Sequence, residues 1–180
     1  MIRTPLEPKL IYPDLLEDAR GHFAEVYNKR EFDRLVGHEF TFVQDNQSRS
    51  RKGVLRGLHY QLEPHAQGKL IRVTHGEIFD VAVDIRRSSP SFGSWVGHHL
   101  SNENQAHLWV PPGFAHGFLV LSEVADVIYK VTKYHSAPDA RTIHWADPAI
   151  GVVWPLDGKV PITSDRDHSA PSLEETEVFN

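Results

Sequence analysis

The sequence contains no cysteine and a single methionine among its 180 residues. Without cysteine, the chain can form no disulfide and offers no thiolate metal ligand or thiol nucleophile, and this composition suits a reducing compartment. A surplus of positive charge is also absent, since 24 acidic residues against 19 lysines and arginines give a formal net charge of -5. We therefore expect no nucleic-acid partner and no anionic membrane surface bound through bulk positive charge.

Long apolar runs and phosphate-binding loops are missing as well. Residues 1–21 interrupt their apolar positions with prolines and charges, which predicts neither a signal peptide nor a membrane span. No G-x-x-x-x-G-K-[ST] and no G-x-G-x-x-G after a strand occurs, so side chains would have to hold a nucleotide. We expect a cytoplasmic protein without a membrane partner.

The chain is long enough to build one sizeable core, and its apolar fraction of 40% is usual for a globular domain. No internal repeat, low-complexity linker or change of composition divides it. We predict a single domain over residues 1–180. The polar and acidic residues 169–180 are expected to form a loosely ordered surface tail.

Apolar residues recur mostly with a period of two, which indicates strands. The clearest example is 77–85, where Phe79, Val81 and Val83 alternate with Ile78 and Asp80. The predicted strands are 40–44, 54–61, 69–75, 77–85, 95–100, 107–110, 117–121 and 124–134. A helix over Lys29–Val36 and short helical turns after residue 146 complete the prediction. Such a density of strands closes most simply as an all-β jelly roll or barrel.

Twelve histidines raise the question of a metal site. The segment 111–116, PPGFAH, resembles the P-x-G-x-x-H of the cupin superfamily, whose fold is a jelly roll. A metal-binding cupin normally adds two histidines one residue apart and a glutamate shortly after. Here the corresponding place offers only His59, followed by Tyr60 and Gln61. We therefore expect no metal and no cofactor.

Several longer segments match one family in order and at its spacing. They are DARGHFAE (18–25), QDN (44–46), GVLRGLHYQ (53–61), KLIRV (69–73), FDVAVD (79–84), SPSFGSW (89–95) and SDRD (164–167). The chain resembles the dTDP-4-dehydrorhamnose 3,5-epimerase family, the dTDP-sugar epimerases, from about residue 10 to residue 172. The resemblance implies a cupin-type jelly roll with a few short helices. It also implies cofactor-independent inversion of carbons 3 and 5 of dTDP-4-dehydro-6-deoxy-D-glucose, on the way to dTDP-L-rhamnose.

Inverting a carbon next to a ketone requires a base, a cation or donor at the enolate oxygen, and an acid on the opposite face. His59 suits the base, because the ordinary pKa of histidine, about 6.5, lies near working pH. The resemblance makes Asp167 its supporting carboxylate, Tyr129 the opposing acid and Lys69 the cation. It also implies that His116 helps to position the keto sugar.

Strand parity tests these roles. Lys69 shares parity with apolar positions 71 and 73, and Tyr129 with 127 and 131, so both can project into an apolar interior. Arg56 and His59 lie three positions apart and would face opposite sides of a regular strand. Gly57 between them permits a bulge that could bring both to one pocket.

The resemblance also implies the binding residues for the nucleotide sugar. They are Arg20, Phe23, Glu25, Gln44, Asn46, Arg56, His116 and Arg166. Forked guanidinium donors suit the diphosphate, Phe23 can stack on the base, and Glu25 can accept from a ring donor. In the family, the segment from Arg20 to Glu25 reaches into the neighbouring subunit's site, which implies a functional homodimer.

Three positions depart from the family pattern. Ala140 stands where glutamate is usual, Arg166 where lysine is usual, and His135 where many relatives carry a second tyrosine. The nucleotide and sugar therefore stay open, as does a related epimerase that inverts only one carbon. A metal-binding or sugar-binding cupin is the remaining alternative. The incomplete metal motif argues against the former, and the joint presence of His59, Tyr129 and Asp167 against the latter.

Overall fold

Two five-stranded sheets form the body of the protein in the computed structural model, which describes residues 6–180. These residues form twelve strands and two helices. The elements are β1 (Lys9–Ile11), β2 (Leu15–Asp18), β3 (Gly21–Ala24), α1 (Lys29–Val36), β4 (Gln44–Arg51), β5 (Leu55–Gln61), β6 (Lys69–His75), β7 (Glu77–Asp84), β8 (Trp95–Ser101), β9 (His107–Val110), β10 (Phe114–Val120), β11 (Val124–Val131), β12 (Ala140–Thr142) and α2 (Asp165–His168).

The strand order is β1-β9-β6-β11-β4 in the first sheet and β12-β5-β10-β7-β8 in the second. Strands β2 and β3 pair with each other as a separate ribbon. Neighbours within both sheets are antiparallel. This arrangement confirms the predicted all-β jelly roll with a few short helices. No helix among residues 6–180 is long and apolar enough to cross a membrane.

The alternation along β7 divides the core into two layers. Ile78 and Ala82 pack in the cluster between the sheets, where they meet apolar residues of β6, β9 and β11. Phe79, Val81 and Val83 point the other way, into a cluster on the outer face of the second sheet. Since successive side chains of a strand face opposite sides, one strand supplies both layers.

Helix α1 covers the outer face of the first sheet, with the bounds that the sequence predicts. Asn28 caps its first turn by accepting from the Arg30 amide at 3.0 Å, and Gly37 ends it with a φ of 75°. Its buried Phe32 lies edge-on to Trp109, with ring centroids 5.0 Å apart. The helix therefore closes an aromatic third layer.

The predicted strand at 40–44 is wrong, because β4 runs over Gln44–Arg51 instead. The aromatic alternation at Phe40 and Phe42 reflects packing against Trp109, and not pairing in a ladder. Strand β4 itself is polar throughout, so no alternation of apolar residues identified it as a strand. The ribbon β2–β3 and the short strands β1 and β12 were not predicted either, and β11 ends at residue 131.

The C-terminal segment is not the loosely ordered surface tail that its polarity suggests. Leu173 and Val178 are 5% and 8% exposed and pack into the outer cluster of the second sheet. The Leu173 amide donates to the Asp147 carboxylate at 2.7 Å, and the backbone of Phe179 forms an isolated parallel β-bridge with that of Arg86. A few apolar residues within a polar segment are enough to hold it on the sheet. The short helical turns expected after residue 146 are present: the Gly151 amide donates to the Asp147 carbonyl, and α2 forms a further turn at Asp165–His168.

Candidate active site

A pocket of about 220 Å³ opens where strands of both sheets approach each other. It is lined by Gln44, Asn46, His59, Tyr60, Gln61, Gln67, Lys69, Tyr129, His135, Ala140, Arg141 and Arg166. The predicted residues that meet here are Gln44, Asn46, His59, Lys69, Tyr129 and Arg166. They come from five separate elements, β4, β5, β6, β11 and α2.

A bulge in β5 places Arg56 and His59 on one side of the sheet, as expected from Gly57. Opposite β10, His59 pairs with His116 and Arg56 with Phe118, so the register shifts by one residue between them. Gly57 has a φ of 133°, and a Cβ there would lie 2.5 Å from the Gly117 Cα. Only glycine fits this close approach. Arg56 and His59 consequently line one cavity that adjoins the pocket.

His59 is held by a buried carboxylate from the far end of the chain. Its Nε2 lies 2.5 Å from Oδ1 of Asp167, whose side chain is 3% exposed. Ser164 caps α2 by accepting from the Asp167 amide at 3.2 Å, which orients that residue. Because an ionised carboxylate only accepts, the proton lies on Nε2 and leaves Nδ1 as the basic nitrogen.

Both members of this pair have shifted pKa values. Burial lowers the pKa of His59 below 6.5, although the hydrogen bond and charge of Asp167 act in the opposite direction. Burial raises the pKa of Asp167, but hydrogen bonds from His59, Gly57 and Ser164 outweigh it and leave that pKa below 3.8. The pair therefore holds a neutral imidazole beside an ionised carboxylate at neutral pH.

Lys69 and Tyr129 enter from the first sheet, with the inward orientation predicted from their parity. Lys69 is 8% exposed, and its ammonium donates to the His59 carbonyl oxygen at 3.1 Å. Burial lowers the pKa of Lys69 to about 8, against the charge of Asp80. Burial raises the pKa of Tyr129 above 10, against the charge of Arg56, so its hydroxyl stays protonated.

The pocket is cationic. Arg141 and Arg166 line it together with Lys69, and none of the described residues that line it is Asp or Glu. Arg166 donates to the Thr142 hydroxyl at 2.8 Å, which fixes its guanidinium at the rim. Arg56, beside it, donates to the Ser50 hydroxyl at 3.1 Å. Such a set of fixed guanidinium groups suits an anionic ligand.

The remaining predicted residues do not line this pocket. His116 is buried and bonds Asp80 with a separation of 2.9 Å. Arg20 pairs with Asp18 on the ribbon, where 89% of its side chain is exposed, and Phe23 is 68% exposed. Glu25 follows the ribbon and accepts from Asn28 at 3.1 Å. Within one chain, the three residues from the ribbon segment are therefore separate from the pocket.

Six pocket residues carry no role in the sequence argument; they are Tyr60, Gln61, Gln67, His135, Ala140 and Arg141. Gln67 lies in the loop after β5, where no periodicity marks it. Arg141 lies in the short strand β12, next to Ala140, where glutamate is usual in the family. That departure from the family pattern was the signal that could have pointed to Arg141.

Among residues 6–180, no group of three or more His, Asp or Glu side chains could hold a metal ion.

The fold and the pocket define a cupin-like jelly-roll protein with a cationic cavity between its two sheets. An imidazole held by a carboxylate, a buried ammonium and a protonated phenol face one cavity that arginines also line. The family model for dTDP-4-dehydrorhamnose 3,5-epimerase matches residues 6–175. The chain belongs to the dTDP-4-dehydrorhamnose 3,5-epimerase family.

Individual relatives agree with this assignment. The dTDP-4-dehydrorhamnose 3,5-epimerase of Salmonella typhimurium is 51% identical over 97% of this chain and 96% of its own. That of Pseudomonas aeruginosa is 51% identical over 94% and 93%. The solved Legionella pneumophila dTDP-6-deoxy-D-glucose-3,5-epimerase, in complex with dTDP-4-keto-L-rhamnose, has a TM-score of 0.90 and 49% identity over 94% and 89%. A 3'-monoepimerase of Streptomyces bikiniensis, in complex with dTDP-quinovose, has a TM-score of 0.88 and 31% identity over 97% and 88%.

Proposed function

We propose that this protein inverts carbons 3 and 5 of dTDP-4-dehydro-6-deoxy-D-glucose to give dTDP-4-dehydro-L-rhamnose, without a cofactor. The observation that carries the proposal is the His59–Asp167 pair, 2.5 Å apart, in the same pocket as Lys69 and Tyr129. The relatives at about half identity support the same reaction. The cysteine-free composition supports a reducing compartment, the cytoplasm, as its location.

His59 acts as the base. Its Nδ1 takes the proton from the carbon beside the ketone, while Asp167 stabilises the imidazolium through Nε2. The C–H electron pair moves into a carbon–carbon double bond, and the ketone oxygen becomes an enolate. The Lys69 ammonium stabilises the negative charge on that oxygen. Since the pKa of Lys69 is about 8, the ammonium is mostly present at neutral pH.

Tyr129 returns a proton from the other face. It lies on β11 of the first sheet, whereas His59 lies on β5 of the second, so the two groups approach a bound ring from different sides. The phenol O–H bond breaks, a new C–H bond forms, and the enolate collapses to the ketone. The proton held by His59 leaves to solvent, and the Tyr129 phenolate takes a proton from solvent, so both groups are restored. The result is an inverted carbon, and the same groups serve the second one.

Side chains hold the nucleotide diphosphate. Arg56 and Arg166 line the cavity that adjoins His59, and forked donors suit phosphate oxygens. Gln44 and Asn46 line the sugar pocket from β4. We assign Arg20, Phe23 and Glu25 to the site of a second copy in a homodimer, because the exposed ribbon carries them away from the pocket of their own chain.

Proton NMR in heavy water tests the reaction directly. Incubation with dTDP-4-dehydro-6-deoxy-D-glucose should replace the protons at carbons 3 and 5 with deuterium and yield the L-rhamno product. Exchange at one carbon alone would identify an epimerase of the single-carbon type, like the Streptomyces relative. No exchange at either carbon would refute the proposed function.

Two variants separate the proton-handling roles. His59→Asn should abolish exchange, because no enolate forms, whereas Tyr129→Phe should still exchange on the original face while net inversion falls by about 10²–10⁴-fold. Undiminished exchange in His59→Asn would show that the base is misassigned. Normal inversion in Tyr129→Phe would show the same for the acid.

A further inference from the structure

Gln61 is a buried pocket residue that the mechanism above does not use. It is the last residue of β5 and is 4% exposed. Its Nε2 donates to the carbonyl oxygens of His65 at 2.7 Å and of Tyr134 at 3.2 Å. Its Oε1 accepts from the Ser136 amide at 2.9 Å. The side-chain amide of Gln61 therefore bonds backbone groups of two different loops at once.

These two loops form one wall of the pocket. Residues 62–68 connect β5 to β6, and residues 132–139 connect β11 to β12, so each loop passes between the two sheets. The loops also contact each other, because Gln67 donates to the Lys133 carbonyl oxygen at 2.7 Å. Gln67 from the first loop and His135 from the second both line the pocket.

The ends of the second loop have contacts of their own. Near its start, the Thr132 hydroxyl accepts from the Gly68 amide at 2.8 Å. At its end, the Asp139 carboxylate lies 2.7 Å from Nδ1 of His65. The middle of the loop lies between these two contacts, and it is there that Gln61 bonds the chain.

The position of His135 depends on that middle part. None of residues 132–139 is buried, so apolar packing contributes little to holding them in place. Gln61 bonds the residue on each side of His135, the carbonyl of Tyr134 before it and the amide of Ser136 after it. The glutamine therefore fixes the backbone from which the His135 side chain reaches the pocket.

We propose that Gln61 is a positioning residue for substrate binding: it holds His135 in the wall of the pocket, where the imidazole hydrogen-bonds a hydroxyl group of the bound sugar. The inference rests on the proposed function for the identity of the ligand. A histidine ring nitrogen donates to a hydroxyl or accepts from one, according to its tautomer. Both N–H groups of the Gln61 amide are already used on loop carbonyls, so the glutamine acts through the loop.

Gln61→Met removes these hydrogen bonds but keeps an unbranched side chain of similar size. The Tyr134 carbonyl and the Ser136 amide then lose their partner, and leaving such groups unpaired is costly. The middle of the loop should move toward water to satisfy them, which takes His135 out of the wall for part of the time. The apparent affinity falls in proportion to the fraction of molecules whose pocket is complete.

Steady-state kinetics with dTDP-4-dehydro-6-deoxy-D-glucose test the role. In Gln61→Met, KM should rise about tenfold while kcat changes little, because His59, Lys69 and Tyr129 stay in place. A buried residue with a purely structural role would instead lower the amount of active enzyme, which reduces kcat at an unchanged KM. That opposite pattern, or a KM equal to that of the wild type, would overturn the inference.

Gln105→Met is the matched control. Gln105 also donates to a loop carbonyl, that of Asn102 at 2.6 Å, but its loop joins β8 to β9 and does not line the pocket. This variant should keep the KM of the wild type. In a His135→Ala background, Gln61→Met should raise KM far less than it does alone, because the residue that it positions is gone. Equal rises in both backgrounds would refute the coupling between Gln61 and His135.

Amide hydrogen exchange tests the same contact without substrate. The Ser136 amide lies in a loop without buried side chains and bonds Gln61, so Gln61→Met should speed its exchange about tenfold or more. The Gly68 amide, bonded to Thr132, should keep its rate. An unchanged rate at Ser136 would refute the positioning role. This measurement also decides the matter if the protein proves inactive on the proposed substrate, since that failure concerns the function and not the loop contact.

Discussion

Replacing Asp167 with asparagine should nearly abolish activity while leaving the fold intact. In the native site, Oδ1 of Asp167 accepts from His59 Nε2, and Oδ2 accepts from the Gly57 amide at 3.4 Å. An asparagine has one oxygen and one NH₂ group to fill these two places. Its oxygen belongs at the Gly57 amide, which can only donate, so its NH₂ group faces His59. That arrangement makes Nε2 an acceptor and moves the ring proton to Nδ1.

The size of the effect follows from this change of tautomer. With a proton on Nδ1, the imidazole has no free lone pair toward the substrate and cannot act as the base. The Asp167 side chain is 3% exposed, so solvent cannot take over its place. Loss of an oriented general base costs about 10²–10⁴-fold in rate. This range corresponds to about 3–5 kcal/mol of transition-state stabilisation.

Deuterium exchange at carbons 3 and 5, together with kcat and KM for inversion, measures the effect of Asp167→Asn. We expect kcat to fall and KM to change little, because the asparagine removes no group that binds the diphosphate. Glu77→Gln is a matched control, since Glu77 bonds His99 at 2.7 Å in an exposed pair on β7 and β8, and it should retain normal activity. A well-folded Asp167→Asn variant with a kcat close to that of the wild type would refute the reasoning about the pair.

Three further predictions concern the bulge, the absence of a metal and the assembly. Gly57→Ala should destabilise the protein by about 1–3 kcal/mol in chemical denaturation and lower activity, because its Cβ would meet Gly117. Gly53 also has a positive φ, but a Cβ there would meet no atom within 4 Å. An equal loss of stability in Gly53→Ala and Gly57→Ala would therefore contradict the role of the close approach to Gly117. Activity should survive prolonged chelation, with metal analysis to check that the protein is metal-free. If activity is lost and returns only with an added divalent ion, the acid–base mechanism is wrong. Sedimentation at assay concentration should give a dimer of 20.4 kDa chains, and a fully active monomer would remove the assignment of Arg20 and Phe23 to the neighbouring site.

Local sequence signals predicted the orientation of several side chains in the pocket. The parity of Lys69 and Tyr129 with their apolar neighbours placed both side chains inward, and the pocket confirms this orientation. Gly57 indicated a bulge between Arg56 and His59, which the register shift confirms. These features depend on a few consecutive residues, so alternation and a single glycine were enough to predict them.

The family resemblance extended the prediction to residues that no local pattern marks. Asp167 is an ordinary aspartate in a polar segment, and its place beside His59, 108 positions away, has no periodic signature. The resemblance named it, whereas the structure shows how the capped turn of α2 presents it. Gln67 lies outside both kinds of signal, and only the neighbouring departure at Ala140 pointed to Arg141; the structure shows both residues in the wall of the cavity.

The sequence by itself determined the elements whose signals are local. Helix α1 begins after the cap at Asn28 and ends at Gly37, and β7 alternates between two apolar layers, because these outcomes depend on neighbours within one or two turns. Tertiary contacts alone make the polar segment Gln44–Arg51 a strand, pack Leu173 and Val178 on the second sheet, and bury Asp80 beside His116. Each of these outcomes depends on a contact with a segment far along the chain. Such contacts form only when distant segments come together, so no local periodicity of the residues predicts them.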